Sequence, residues 1–153
     1  MPTENALSPE STPELEHLLN ALLEFARLML DEQGEFFPFG AALKEDGLIH
    51  SVPVDLAKER PTTHEVLDTL IAAFKEHAQD DAVRAIGICT DAHILMPDGI
   101  RESDAISVQL EHRRGESLVV FLPYQKPLLA AIRYEPVFAA ERGPVVFVTE
   151  TPN

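Results

Sequence analysis

Residues 83–124 constrain the fold more than any other part of the chain. Three strand-length segments, 83–96, 105–113 and 117–124, follow one another with Pro97-Asp98-Gly99 and Arg114-Gly115 as the turn signals between them. Connections this short join antiparallel neighbours, because a parallel return needs a crossover of about a dozen residues or more. The segments 128–138 and 145–148 read as further strands, although residues 128–131 also suit the start of a short helix.

The first eighty residues follow a different period. Ser11-Thr12-Pro13-Glu14 is a helix start: a hydroxyl stands at the cap, a proline in the first turn, and Ser11 with Glu14 forms a capping box. Leu15, Leu18, Leu19, Leu22, Ala26, Met29 and Leu30 then recur at helical spacing up to Gly34. Leu23, Phe25 and Leu28 widen that stripe beyond one face, so the helix needs cover on more than one side. A hairpin follows, with strands at 36–43 and 48–54 around Asp46-Gly47. Pro38 and Pro53 keep parts of it out of a central ladder. Thr62-Thr63-His64-Glu65 repeats the capping box and opens a second helix running to about Gln79. The expectation is an α+β fold of two helices packed on a mostly antiparallel sheet, in the order α-β-β-α-β-β-β-β-β. It forms one domain over 12–149, with a disordered lead-in at 1–11 and a frayed tail at 150–153.

The third and fourth strands admit a hand-built register. Pairing Ile94 with Ile106, Ala92 with Val108 and Thr90 with Leu110 creates one apolar face. It leaves His93 by Ser107, Asp91 by Gln109, Cys89 by Glu111 and Gly87 by Arg113 on a polar one. A one-residue slip mixes the two sets, which favours this pairing. On it, Val108→Asp leaves little folded protein while Gln109→Asp is tolerated. Residues 118–122 are apolar on both faces, so Leu118, Val120 and Leu122 are expected beside Glu111, Gln109 and Ser107. There they call for cover by the second helix, by 128–138 or by a second copy of the chain.

Candidate chemistry concentrates in Cys89-Thr90-Asp91-Ala92-His93. A strand projects alternate residues from one face, so Cys89, Asp91 and His93 share a side, with Glu111 as the fourth candidate. A nucleophilic thiol needs the imidazole next to it, whereas two strand repeats separate the pair by roughly 13 Å. A metal needs ligands converging within about 2.0–2.3 Å of one ion, which a flat strand does not provide. The spacing therefore favours the polar face of a half-buried strand over catalysis or metal binding, and Cys89→Ser is expected to leave function intact. The sequence holds no G-x-S-x-G, no phosphate-binding glycine loop and no paired histidine or cysteine spacing. No cofactor or metal is implied.

Twelve basic residues face 26 acidic ones, a formal charge of −14, and residues 1–81 carry nearly all of that excess. Nucleic-acid binding rests on neutralising phosphates with Lys and Arg, so this balance argues against it. It favours a basic partner instead. The lone Cys89 and a start without a basic, then apolar, leader point to the cytoplasm, and no apolar run is long enough for a membrane. The run Gly34-Glu35-Phe36-Phe37-Pro38-Phe39-Gly40-Ala41-Ala42-Leu43, closed by Asp46-Gly47, resembles an F-x-P-F-G-A-x-L…D-G pattern in small bacterial cytoplasmic proteins of unassigned function. That resemblance implies a bacterial setting and brings no chemistry.

The leading reading is an acidic protein–protein interaction module. It is of the adaptor kind, or of the immunity kind that neutralises a basic toxin, and it pairs first with itself as a homodimer. The alternative is a small-molecule binder or enzyme using the Cys89, Asp91 and His93 face.

Overall fold

In the computed structural model the described residues are 12–52 and 60–147. The lead-in 1–11 with the Ser11 half of the first capping box, the 53–54 end of the hairpin return, Val148 and the tail 150–153 lie outside them. The elements are α1 (Thr12–Gln33), β1 (Phe39–Lys44), β2 (Ile49–Ser51), α2 (Thr63–His77), β3 (Val83–Leu95), β4 (Glu102–His112), β5 (Ser117–Gln125), β6 (Arg133–Tyr134) and β7 (Phe138–Glu141). The seven strands form one sheet in the order β2-β1-β3-β4-β5-β6, with β7 also paired to β5. Every pairing is antiparallel. This is the expected α+β layering in the expected order.

The two helices take opposite faces. Leu15, Leu18, Leu22, Leu23, Ala26 and Leu30 of α1 pack with Cys89, Val108, Leu110, Leu118, Val120 and Leu122. Leu70 and Phe74 of α2 pack with Ala42, Ile86 and Ile88 on the other side. Each Leu, Ile, Val and Phe among them contributes on the order of 1.5–3 kcal/mol by leaving water. β3 is thus apolar on both faces through its first half, as a central strand must be. Gly87 allows α1 to approach closely, since a Cβ there would collide with Leu22.

Local chemistry sets the boundaries. At α2 the Thr62 hydroxyl accepts from the Glu65 N–H while the Glu65 carboxylate accepts from the Thr62 N–H, which completes the second capping box. At α1 the Glu14 side chain accepts from Arg84 of β3. β1 begins at Phe39 rather than at 36, because Pro38 fixes φ near −65° and bends the chain out of the strand. β3 does not stop with it. The β1–β3 ladder ends at Phe39 opposite Cys89, while β3 continues to Leu95, paired only to β4 among the described residues.

The expected β3–β4 register is overturned. Cys89 lies opposite Val108, Asp91 opposite Ile106, His93 opposite Asp104 and Gly87 opposite Leu110. The turn is shorter than the hydrophobic pattern suggested. The Asp98 carboxylate accepts from the N–H groups of Ile100 and Arg101, Gly99 takes φ +75°, and the Met96 N–H already donates to the Arg101 carbonyl. The slip is an odd number of residues, so the faces exchange. Cys89 joins the α1 core, and Leu118, Val120 and Leu122 are buried in the same cluster rather than beside Glu111, with Ile132 and Tyr134 of the 128–138 segment packed against it.

Two further expectations change. Of the 128–138 segment only Arg133–Tyr134 and the residues from Phe138 onward pair, while Leu128 and Leu129 stand 96% and 95% exposed. Pro127 and Pro136 interrupt the rest. Residues 145–147 form a bend rather than a strand, because their N–H groups go to a side chain.

Candidate functional site

Cys89, Asp91 and His93 share a face of β3, as alternation requires, yet three different environments receive them. Cys89 is sealed beneath α1, and burial, with the charge of Asp91, pushes its thiol well above the ordinary value. Asp91 is half-buried and accepts a 2.6 Å hydrogen bond from the Tyr124 hydroxyl. Burial raises its carboxyl above the usual range, opposed by that bond and by Lys126. Tyr124 is raised by burial and by the same carboxylate. His93 is exposed. Its Nδ1 lies 3.0 Å from Asp104 and its Nε2 3.4 Å from Glu102, and the Asp104 contact raises the imidazole above its ordinary value. The thiol therefore has neither access nor a base. Among the described residues no three His, Cys, Asp or Glu side chains form a metal-binding group.

Glu111 is not beside Cys89. It pairs with Ile86 and lies on the opposite face, fully buried. Its carboxylate accepts from the N–H groups of Val145 (2.8 Å), Val146 (2.9 Å) and Phe147 (3.0 Å) and from the Gln109 amide (3.1 Å). Charge-assisted bonds of this kind are about twice as strong as neutral ones, so Glu111 moors the 145–147 bend to the sheet. Gln109 also donates to Ser117 and to the Gly143 carbonyl, which makes the supposed polar strand face an interior network. Sequence patterning carried no sign of this, since the partners belong to a segment that looked like a strand.

A second network, also missed, ties α1 to the sheet. Arg84 donates to Glu14 at 2.7 and 3.0 Å. Nδ1 of the buried His112 accepts from the Arg114 N–H, so Nε2 carries the proton and donates to Glu14 at 3.2 Å. The guanidinium beside it holds the Glu14 carboxyl below the usual carboxylate range, and His112 adds to this against the opposing effect of burial. Neither network contains a group free to act on a substrate.

The accessible features lie elsewhere. A cleft of about 330 Å³ opens where β1 leaves β3, lined by Gln33, Glu35, Phe36, Phe37, Thr63 and Asp91. Along the solvent side of α1 a shallow groove of about 500 Å³ is lined by Glu24, Phe25, Arg27, Leu28 and Asp31, with Phe25 and Leu28 about half exposed. No helix among the described residues is long and apolar enough to cross a membrane. Comparison with protein-family models, with curated proteins and with solved structures finds no match to this chain. What the fold and surface define is a two-helix α+β sheet protein with a carboxylate-rich exterior.

Proposed function

We propose that this chain is an acidic protein–protein interaction module, of adaptor or immunity type, acting in the cytoplasm on a basic partner. One observation carries the reading. α1 presents Glu16, Glu24, Asp31 and Glu32 to solvent against the lone cation Arg27, whose guanidinium is already engaged over the Tyr134 ring at 5.2 Å. Such a face attracts and orients a positively charged protein. Co-purification from the native host in low and in high salt, with mass spectrometry, tests it. The expected result is a basic protein recovered in low salt and lost in high salt. Recovery of acidic or neutral partners that withstand salt contradicts the reading.

A second reading, a homodimer, now has a narrower basis. Leu118, Val120 and Leu122 no longer support it, because they are buried in the chain's own core. Phe25 and Leu28 still do, since both stand about half exposed along the groove on the solvent side of α1. Sedimentation equilibrium at micromolar concentration separates the cases. A 16.9 kDa species at every salt concentration removes the dimer.

A further inference from the structure

We propose that the open edge of β3 beyond Cys89 is a strand-addition site for an extended segment in which basic residues alternate with apolar ones. The proposal rests on the reading of a basic partner and says where, and in what conformation, that partner is held.

The backbone supplies the first argument. The Arg113 N–H donates to the Arg84 carbonyl and the Met96 N–H to the Arg101 carbonyl, so even-numbered positions of β3 exchange hydrogen bonds with β4. The unbroken register between them sends the N–H and C=O groups of the odd-numbered positions the other way, towards β1. β1 meets them only as far as Cys89. At His93 and Leu95 these groups face outward with no strand beside them among the described residues, which is the template for β-augmentation.

The side chains supply the second argument. Asp91, His93 and Leu95 project from one face of this overhang, with Asp104 and Glu102 behind them on β4, where both contact His93, and Glu35 lines the cleft at its root with Asp91. Ala92 and Ile94, half-buried, lie on the other face, beside Ala105 and Ser103. An added strand alternates in the same way, so on the Asp91 side its residues adjoin Asp91, with Asp104 and Glu102 one strand further in and within reach of a long basic side chain, while those on the Ile94 side meet apolar surface. A second copy of this chain suits the edge poorly, since two-fold pairing would bring both sets of carboxylates together. A segment alternating Lys or Arg with Val, Ile or Leu suits it on both faces.

The test is a titration of the full chain, in low salt, with a fluorescent peptide alternating lysine and valine. Parallel titrations use the same peptide N-methylated at alternate residues and a glutamate–valine counterpart. The lysine–valine peptide should bind, the methylated one about tenfold or more weakly because pairing bonds are lost, and the acidic one not at all. Binding should slow amide exchange at His93 and Leu95. His93→Pro removes an N–H that the β4 ladder does not use, so the sheet tolerates it and affinity should fall about tenfold. His93→Ala keeps the N–H and should stay within about threefold. If His93→Pro does not fold by circular dichroism, peptide methylation and amide exchange decide. Equal affinity for both lysine peptides, with His93 and Leu95 amides unprotected, overturns strand addition and leaves the basic-partner reading standing. Failure of both lysine peptides to bind overturns both. Protection of these amides that grows with concentration in the free chain assigns the edge to a second copy and overturns the proposal.

Discussion

Glu111 shows how one buried charge fixes a distant segment. Glu111→Ala strands three N–H groups in the 145–147 bend and should cost about 3 kcal/mol. Glu24→Gln on the exposed side of α1 should stay within about 0.5 kcal/mol. Urea unfolding of both variants checks this, and a Glu111→Ala loss below about 1 kcal/mol would show that the mooring is not formed. Glu14 adds a pH dependence. Its carboxyl titrates lower in the folded chain than in the unfolded one, so its stabilisation is complete above the unfolded value and disappears as pH falls through the folded one. Glu14→Gln should remove that part of the acid sensitivity, leaving a flatter stability curve below the ordinary carboxylate pKa. Unfolding midpoints across the acid range measure it, and parallel curves for the two proteins contradict it.

At the scale of elements, the β3–β4 pairing decides which substitutions are tolerated. Val108 is fully buried under α1, and Val108→Asp should abolish folding. Gln109→Asp should also be costly, by about 2–4 kcal/mol, because a carboxylate replaces a donor facing Glu111, Ser117 and the Gly143 carbonyl. Leu95→Asp, at 59% exposure, should change stability by less than about 1 kcal/mol. Soluble yield and thermal unfolding of the three variants report this, and a Gln109→Asp protein as stable as the wild type would restore the register expected from hydrophobic pattern. The reason for the difference is physical. Helices and strands were legible because periodicity and capping are local, as Thr62 with Glu65 and Asp46 with Gly47 illustrate. Register was not legible, because the Asp98 side chain closes the hairpin early and the buried Gln109 and Glu111 of β4 find partners in Ser117 and the 143–147 segment. Of the candidate site, the shared face of Cys89, Asp91 and His93 was readable from alternation. The burial of Cys89 and the Asp91–Tyr124 bond depend on which strand lies alongside, and no local pattern encodes that.

For the whole molecule, the charge has to be weighed together with the fold. α1 carries its carboxylates outward while its other face closes the core, so the acidic surface is rigidly mounted rather than a loose tail. The overhang of β3 and the cleft at its root add a place where an extended segment can be held. An interaction steered by such a field is fast in low salt and slows as the field is screened, with a screening length of about 10 Å at 0.1 M and about 3 Å at 1 M. The association rate of the co-purified partner, measured by stopped flow against ionic strength, is therefore the most direct test of the account. A rate that falls at least about tenfold from low salt to about 0.5 M, with little change in dissociation, is the predicted result. A rate indifferent to salt would contradict the claim that this surface works by recognising a basic protein.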